Sequence, residues 1–121
     1  MVTDPPPIED YPTILLLEDD QDQGELFCEI ALHNGYVVFV ATTLEQALSI
    51  LEMHHTVIDY VLSDNRVGFI EAGKKIKEAC TLKNKPCLIY SGLKTPDVDL
   101  EKPLDWTLLW NQLKTGLVHG T

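Results

Sequence analysis

The stretch that decides the fold is residues 58–66, which read IDYVLSDNR. Its apolar, aromatic and β-branched residues predict a short buried strand that stops abruptly at Asp64. Upstream, residues 13–20 read TILLLEDD, a second apolar strand that also ends in acids. If these two strands are parallel neighbours, their carboxylates meet at the edge where open α/β sheets bind ligands.

Glu18, Asp19 and Asp64 are the acids expected at this edge, and Asp20 either joins them or, as is favoured, caps the helix that follows. Two unit charges about 4 Å apart repel by about 4 kcal/mol at an effective dielectric constant of 20. A hard cation with oxygen ligands relieves this repulsion, and Mg²⁺ suits such a site best. The sequence therefore predicts a Mg²⁺ site at the carboxyl edge of the sheet.

Strand and helix patterns alternate along the rest of the chain. Strands are predicted over residues 13–17, 37–41, 60–63 and 86–90, and helices over residues 21–33, from the 42–46 cap region to 54, 71–80 and 105–117. The second helix has two possible capping boxes, Thr42 with Glu45 or Thr43 with Gln46. The alternation predicts a doubly wound α/β fold, a parallel sheet with helices on both faces and right-handed crossovers.

Composition bounds the class of protein. The 121 residues are 45% hydrophobic, which is enough for one domain with its own core. With 9 basic and 19 acidic residues the net charge is −10, which argues against nucleic-acid and anionic-membrane partners. There is no signal-peptide pattern and no run near the ~18 apolar residues of a membrane span. Cys28, Cys80 and Cys87 form no C-x-x-C, so we expect reduced thiols and a cytoplasmic protein.

The two ends of the chain are predicted to be flexible and to flank a single domain. Residues 1–12, with four prolines and three acids, predict a flexible tail; the domain occupies 13–117, and 118–121 form a flexible C-terminal end. Trp106 and Trp110 lie one helical turn apart, and either pack across the core or form a partner or dimer surface. Four histidines without ligand spacing are expected at the surface: His33, His54, His55 and His119.

Four landmarks resemble those of response-regulator receiver domains, and they occur in the family's order. Residues 14–20 resemble the first strand and its acidic pair, and residues 59–64 resemble the third strand and its phosphoacceptor aspartate. Ser91-Gly92 resembles the Ser/Thr-plus-small-residue step, and Lys102-Pro103 resembles the family's lysine and proline. The resemblance covers about residues 13–117 and implies a flavodoxin-like sheet in strand order 2-1-3-4-5.

The resemblance implies chemical roles for the matching residues. Asp64 would accept a phosphoryl group from a phosphohistidine on a sensor histidine kinase or histidine phosphotransfer protein. Lys102 would neutralise the phosphoryl oxygens, and Ser91 would hydrogen-bond the phosphoryl group. These roles agree with the need of phosphoryl transfer for in-line positioning and for cations that absorb charge.

The resemblance also implies a set of metal ligands. Asp19, the carboxylate of Asp64 and the backbone carbonyl of Arg66 would bind Mg²⁺, and Glu18 would act through water. The side chain of Arg66 has two interpretations: it reaches the phosphoryl group or Glu18 and changes the lifetime of the phosphate, or it is a solvated arginine.

The sequence departs from the family between Ser91 and Lys102. A helix and a strand need on the order of 20 residues there, and the available segment is about half that length. We therefore expect the fourth helix to be lost or reduced to a turn and the fifth strand to be short, over residues 98–100. Asp99 stands where the family has its aromatic switch residue, so the signal is expected to leave by another surface.

The loop after Asp64 departs from the family as well. Gly68 stands where the family often has proline, and Ala72 stands where it often has glycine. An aspartate-nucleophile phosphatase would carry a second acid two residues after the nucleophile. Arg66 occupies that position, which argues against enzymatic turnover beyond slow self-dephosphorylation.

The leading hypothesis is a single-domain receiver in a phosphorelay, a monomer or weak dimer that signals through contact with a downstream protein. A fragment of a longer protein is also compatible with the sequence. The alternative is an interaction module that keeps the receiver fold without switching.

Overall fold

The structure is a computed structural model that describes residues 11–67, 70–91, 100–101, 106–111 and 113. Within these residues the elements follow in the order β1 (Thr13–Leu17), α1 (Gln21–His33), β2 (Val37–Ala41), α2 (Leu44–His54), β3 (Tyr60–Asp64), β4 (Arg66–Val67), β5 (Ile70–Glu71), α3 (Ala72–Leu82), β6 (Cys87–Ser91), β7 (Leu100–Glu101) and α4 (Trp106–Asn111). No helix in these ranges is long and apolar enough to cross a membrane.

The main sheet has five parallel strands in the order β2-β1-β3-β6-β7. This order confirms the flavodoxin-like 2-1-3-4-5 arrangement predicted from the sequence. Because β1 and β3 are neighbours, with Leu17 in register with Ser63, the acids that follow these two positions emerge at the same edge of the sheet.

Each face of the sheet carries its own apolar layer. Along β1, Leu15 and Leu17 pack in the layer with α2 and α3, whereas Ile14 and Leu16 pack in the layer with α1 and α4. All four side chains are buried. A strand covered on both faces needs apolar residues at every position, which explains the uninterrupted run in the sequence.

The helix starts are held by side chains. Asp20 caps α1 by accepting a hydrogen bond from the Gln23 N–H at 3.1 Å. Thr43 caps α2 in the same way through the Gln46 N–H, and the Gln46 Oε1 accepts from the Thr42 N–H at 2.8 Å. The Thr43–Gln46 register is therefore the one adopted, because it satisfies two backbone donors at the helix start.

The connection after Asp64 is more ordered than the loop expected from the sequence. It contains a small antiparallel hairpin, β4–β5, with Arg66 in register with Glu71, and α3 follows directly. A Cβ added to Gly73 would overlap Asn65 Oδ1 and lie 3.0 Å from Ile89 Cγ2. A side chain at position 73 would therefore force Asn65 to move, while the neighbouring Ala72 is accommodated fully buried.

The fifth strand of the sheet is short, as predicted, but includes Glu101. It pairs with β6 through Tyr90–Leu100 and Ser91–Glu101. Residues 92–99, on which the predicted loss of the fourth helix depends, lie outside the described residues, as do residues 1–10 and 114–121. The domain limits drawn from the sequence therefore stay predictions.

The described part of the last helix packs on the sheet. The Trp110 ring stacks on Tyr36 with a centroid distance of 5.1 Å and contacts Phe27 at 6.0 Å. Trp110 is buried, so packing is the interpretation that holds for it, while the side chain of Trp106 lies outside the described residues.

The sequence also predicts free cysteines and surface histidines. All three cysteines are free thiols. His33 and His54 are exposed, as predicted, and His55 is half-buried; His119 lies outside the described residues.

Candidate metal centre

Three carboxylates converge at the carboxyl ends of β1 and β3. Glu18, Asp19 and Asp64 each offer one oxygen, and these oxygens lie within 4.8 Å of one another. Glu18 and Asp64 are buried, and Asp19 is exposed. The parallel pairing of the two strands produces this arrangement, because each strand delivers its acids where its apolar run ends. Asp20, the next acid in the sequence, caps α1, which confirms the cap favoured for it by the sequence.

Glu18 is oriented by contacts from three segments. Its Oε1 accepts a hydrogen bond from the Tyr90 hydroxyl at 3.0 Å, and its Oε2 accepts from the Asp20 N–H at 3.3 Å. Its own N–H donates to the Ala41 carbonyl at 2.9 Å. A carboxylate that is only 4% exposed needs such donors, because burial of an unpaired charge is costly.

Tyr90 is the residue of this centre that the sequence analysis missed. It lies on β6, is 3% exposed, and places its hydroxyl among the acids. Burial raises the pKa of Tyr90 above its ordinary value, and the charges of Glu18 and Asp64 raise it further. The hydroxyl therefore remains a proton donor. A tyrosine as the penultimate residue of a buried strand, directly before Ser91, was the available signal.

The backbone around Asp64 is held on two sides. The Asn65 N–H donates to the Tyr90 carbonyl at 2.8 Å, which extends the β3–β6 ladder past Asp64. The Ser63 hydroxyl donates to the Asp64 carbonyl at 2.8 Å. The Gly73 N–H donates to the Asn65 carbonyl at 3.2 Å, so the start of α3 is tied to the residue after Asp64.

The donor set suits a hard divalent cation. Octahedral Mg²⁺ with oxygens at about 2.1 Å places its ligand oxygens roughly 3 to 4.2 Å apart. The three carboxylate oxygens lie within 4.8 Å of one another, so modest side-chain movements bring them into this range. Since both oxygens of Glu18 already accept hydrogen bonds, the expected contact of Glu18 through water fits the geometry.

The remaining predicted site residues are Ser91, Arg66 and Lys102. Ser91 ends β6 directly after Tyr90, which is in register with Asp64, so Ser91 reaches the same edge of the sheet. Arg66 lies in β4, two residues after Asp64, and the role of its carbonyl stays a prediction. Lys102 lies outside the described residues; the residue before it, Glu101, is in register with Ser91.

Comparison with solved structures decides the family. The receiver domain of the hybrid histidine kinase CckA is 31% identical to this chain, with a TM-score of 0.72, over 87% of this chain and 98% of that domain. This chain belongs to the response-regulator receiver domain family. A scan against family models and a search of curated proteins found no match. Membership places this receiver domain in two-component signalling.

More distant receiver domains share the fold. A CheY-like receiver domain from Methanospirillum hungatei JF-1 has a TM-score of 0.77 at 20% identity, over 90% of this chain and 95% of that one. The Vibrio cholerae chemotaxis protein CheY4 has a TM-score of 0.73 at 18% identity, over 86% and 97% of the two chains. The fold of this receiver domain thus matches theirs over nearly their whole length.

Proposed function

We propose that this protein is a phosphorylatable receiver domain of a phosphorelay. Asp64 accepts a phosphoryl group from a phosphohistidine on a sensor histidine kinase or a histidine phosphotransfer protein, and the phosphorylated domain signals by contact with a downstream protein. The observation that carries the proposal is the cluster of Glu18, Asp19 and Asp64 oxygens within 4.8 Å at the strand edge. We expect a cytoplasmic monomer or weak dimer.

The chemistry of the step matches what these residues offer. An Asp64 carboxylate oxygen attacks phosphorus in line, a P–O bond forms, and the P–N bond breaks as its electron pair returns to the histidine ring, which leaves as neutral imidazole after protonation. Mg²⁺ bound by the acids supplies positive charge to the phosphoryl oxygens. Asp19 and Asp64 would hold that ion, Glu18 would support it through water, and the carbonyl of Arg66 would be a further protein ligand.

The other residues act on the phosphoryl group or on its lifetime. Lys102 neutralises the phosphoryl oxygens, and Ser91, at the end of β6, donates a hydrogen bond to them. The residue two positions after the nucleophile is Arg66 and not an acid. The aspartyl phosphate is therefore hydrolysed only slowly, and the protein is a phosphoacceptor and not a phosphatase.

The test is phosphorylation by acetyl phosphate or phosphoramidate with Mg²⁺, read by intact mass. The wild type should gain one phosphoryl group, and the gain should disappear in EDTA and in Asp64→Asn. Asp59→Asn is the matched control: Asp59 lies just before β3, is exposed, and accepts from the Thr13 N–H at 2.8 Å, which an amide oxygen also does. A wild type that stays unmodified, or a modified Asp64→Asn, contradicts the proposal.

A non-switching interaction module is the second candidate. The observation that favours it is Asp99, which occupies the position of the family's aromatic switch residue. Amide NMR spectra recorded before and after phosphorylation separate the two functions. Shift changes confined to the acid cluster favour the module, and changes that spread to the last strand and helix favour the switch.

A further inference from the structure

We infer that Tyr90 is a positioning residue for the cation site: its buried hydroxyl holds Glu18 in the orientation in which the three acids can share one Mg²⁺. The inference rests on the Mg²⁺ site of the proposed function and is independent of phosphoryl transfer. No position in the resemblance drawn from the sequence assigns a role to Tyr90.

Strand alternation places Tyr90 beside the acids. Leu16, Leu62 and Leu88 pack in one apolar layer on neighbouring strands, and they are linked in register across the sheet. Side chains two residues further on point to the same face, because the period of a strand is two. Glu18, Asp64 and Tyr90 are these next residues, so they form a row at the top of that layer.

Within this row Asp64 on β3 lies between Glu18 and Tyr90, which come from the ends of β1 and β6. The long Tyr90 side chain spans that separation, and its hydroxyl reaches Glu18 Oε1 at 3.0 Å. A serine or threonine at position 90 is too short for this contact. The hydrogen bond therefore ties together the two outer strands that flank the proposed phosphoacceptor.

The hydrogen bond from the Tyr90 hydroxyl to Glu18 Oε1, at 3.0 Å, is shorter than the one from the Asp20 N–H. The Asp20 N–H lies at 3.3 Å from the other carboxylate oxygen. Hydrogen bonds to a carboxylate are stronger than neutral ones and restrict its rotation. A residue that hydrogen-bonds a metal ligand fixes the orientation of that ligand. Its removal typically lowers metal affinity 10- to 100-fold.

The experiment measures Mg²⁺ affinity by NMR titration of backbone amides in the wild type, Tyr90→Phe, Glu18→Gln and the double variant. Tyr90→Phe keeps the ring and removes the donor, so we expect binding to weaken by about 10-fold. If Tyr90 acts through Glu18, the same substitution should leave the affinity of the Glu18→Gln variant unchanged. Unfolding curves check that each variant is folded.

Tyr36→Phe is the matched control. Tyr36 is buried in the same apolar layer, and its ring packs on Tyr60 and Trp110, residues that lie outside the acid cluster. Loss of its hydroxyl should leave Mg²⁺ affinity at the wild-type value. This separates the loss of one buried tyrosine hydroxyl in general from the loss of the one that contacts Glu18.

Three results overturn the inference: a folded Tyr90→Phe with wild-type affinity, a loss of affinity that is just as large in the Glu18→Gln background, or a wild type whose acid-cluster amides do not respond to Mg²⁺. If Tyr90→Phe does not fold, a ¹⁹F signal of 3-fluorotyrosine at position 90 in the wild type must shift on Mg²⁺ addition. Intact Mg²⁺ binding without phosphorylation overturns only the proposed function.

Discussion

At the scale of single residues, the centre concentrates negative charge where little water reaches it. Glu18 and Asp64 are 4% and 6% exposed, and the exposed Asp19 adds a third carboxylate. The Tyr90 hydroxyl and the Asp20 N–H offset part of this cost for Glu18. The remaining repulsion is a reason for the site to gain stability when a cation binds.

Neutralising Asp64 should stabilise the metal-free protein. Two charges 4.8 Å apart repel by roughly 3 kcal/mol at a dielectric constant of 20, and solvent at Asp19 reduces the net gain to about 1 kcal/mol. Urea unfolding in EDTA should show this increase for Asp64→Asn and none for Asp59→Asn. Added Mg²⁺ should then stabilise the wild type more than Asp64→Asn. A less stable Asp64→Asn in EDTA contradicts this prediction.

Tyr90 should make the protein sensitive to alkaline pH. Burial, and then the nearby acids, raise the pKa of Tyr90, so the folded protein keeps this proton above pH 10, where the unfolded chain releases it. The unfolded state then binds fewer protons, so the free energy of unfolding falls by about 1.4 kcal/mol per pH unit above pH 10. Below pH 10 this contribution is fully present.

Urea unfolding between pH 9 and pH 11 in EDTA measures this slope. The wild type should lose stability more steeply than Tyr90→Phe, which has no phenol to ionise at this position. The two proteins differ only in this hydroxyl, so the difference between the two curves isolates Tyr90. Parallel curves would show that Tyr90 ionises equally in both states.

At the scale of elements, the connection between β3 and α3 determines how the backbone leaves Asp64. The β4–β5 hairpin and the close approach of Gly73 to Asn65 bring α3 directly beside this backbone. α3 also packs on β3 and β6, with Ile76 and Cys80 in the apolar layer on this face of the sheet.

Gly73→Ala should destabilise the protein by about 1–3 kcal/mol, because the new Cβ overlaps Asn65 Oδ1 and forces this residue to move. Gly24→Ala is the control within α1. Its Cβ would lie 3.3 Å from Val40 Cγ1, and the gain of about 1 kcal/mol in helix propensity offsets the crowding. Thermal and urea unfolding compare the two, and equal stabilities would contradict the prediction.

The cap of α2 gives a second prediction at this scale. Thr43→Ala removes the acceptor of the Gln46 N–H and should lower the free energy of unfolding by about 1 kcal/mol. Ser49→Ala, at an exposed position inside the same helix, should be neutral or slightly stabilising because alanine is the better helix former. Urea unfolding of both variants tests this, and an unaffected Thr43→Ala would show that the cap is dispensable.

At the scale of the whole molecule, the two ends of the sheet carry different side chains, acids at one end and aromatic rings near the other. The acids gather at the carboxyl ends of the strands, whereas Tyr36 and Tyr60 lie near the amino ends of β2 and β3. Trp110 from α4 stacks on Tyr36 and contacts Phe27 of α1. The aromatic cluster thus joins the last helix to the sheet at a distance from the metal centre.

Trp110→Ala should cost about 3–5 kcal/mol, because it removes a buried ring from this cluster. Under conditions where the variant is folded, its Mg²⁺ affinity should equal that of the wild type, since the Trp110 ring packs on Tyr36 and Phe27 and not among the acids. Urea unfolding and the amide titration measure the two quantities. A marked loss of Mg²⁺ affinity in folded Trp110→Ala would show that the ends are coupled.

Local signals in the sequence predicted most of the fold. Uninterrupted apolar runs, helical spacing and caps act between near neighbours, so they placed the four longer strands and the first three helices to within two residues of the observed bounds. The β4–β5 hairpin was missed because a two-residue strand has no detectable period. Periodicity also cannot predict contacts that depend on strand order and register, such as the close approach of Asn65 and Ile89 to Gly73.

By itself the sequence determined that acids end two buried strands, because an apolar run followed by carboxylates is written in consecutive residues. The sequence left open whether Thr42 or Thr43 caps α2, because both are local alternatives, and only the tertiary structure decided that Tyr90 reaches Glu18 past Asp64. The partners in that last contact are 72 residues apart. Their meeting depends on the order and register of three strands, which arise from the packing of the whole chain.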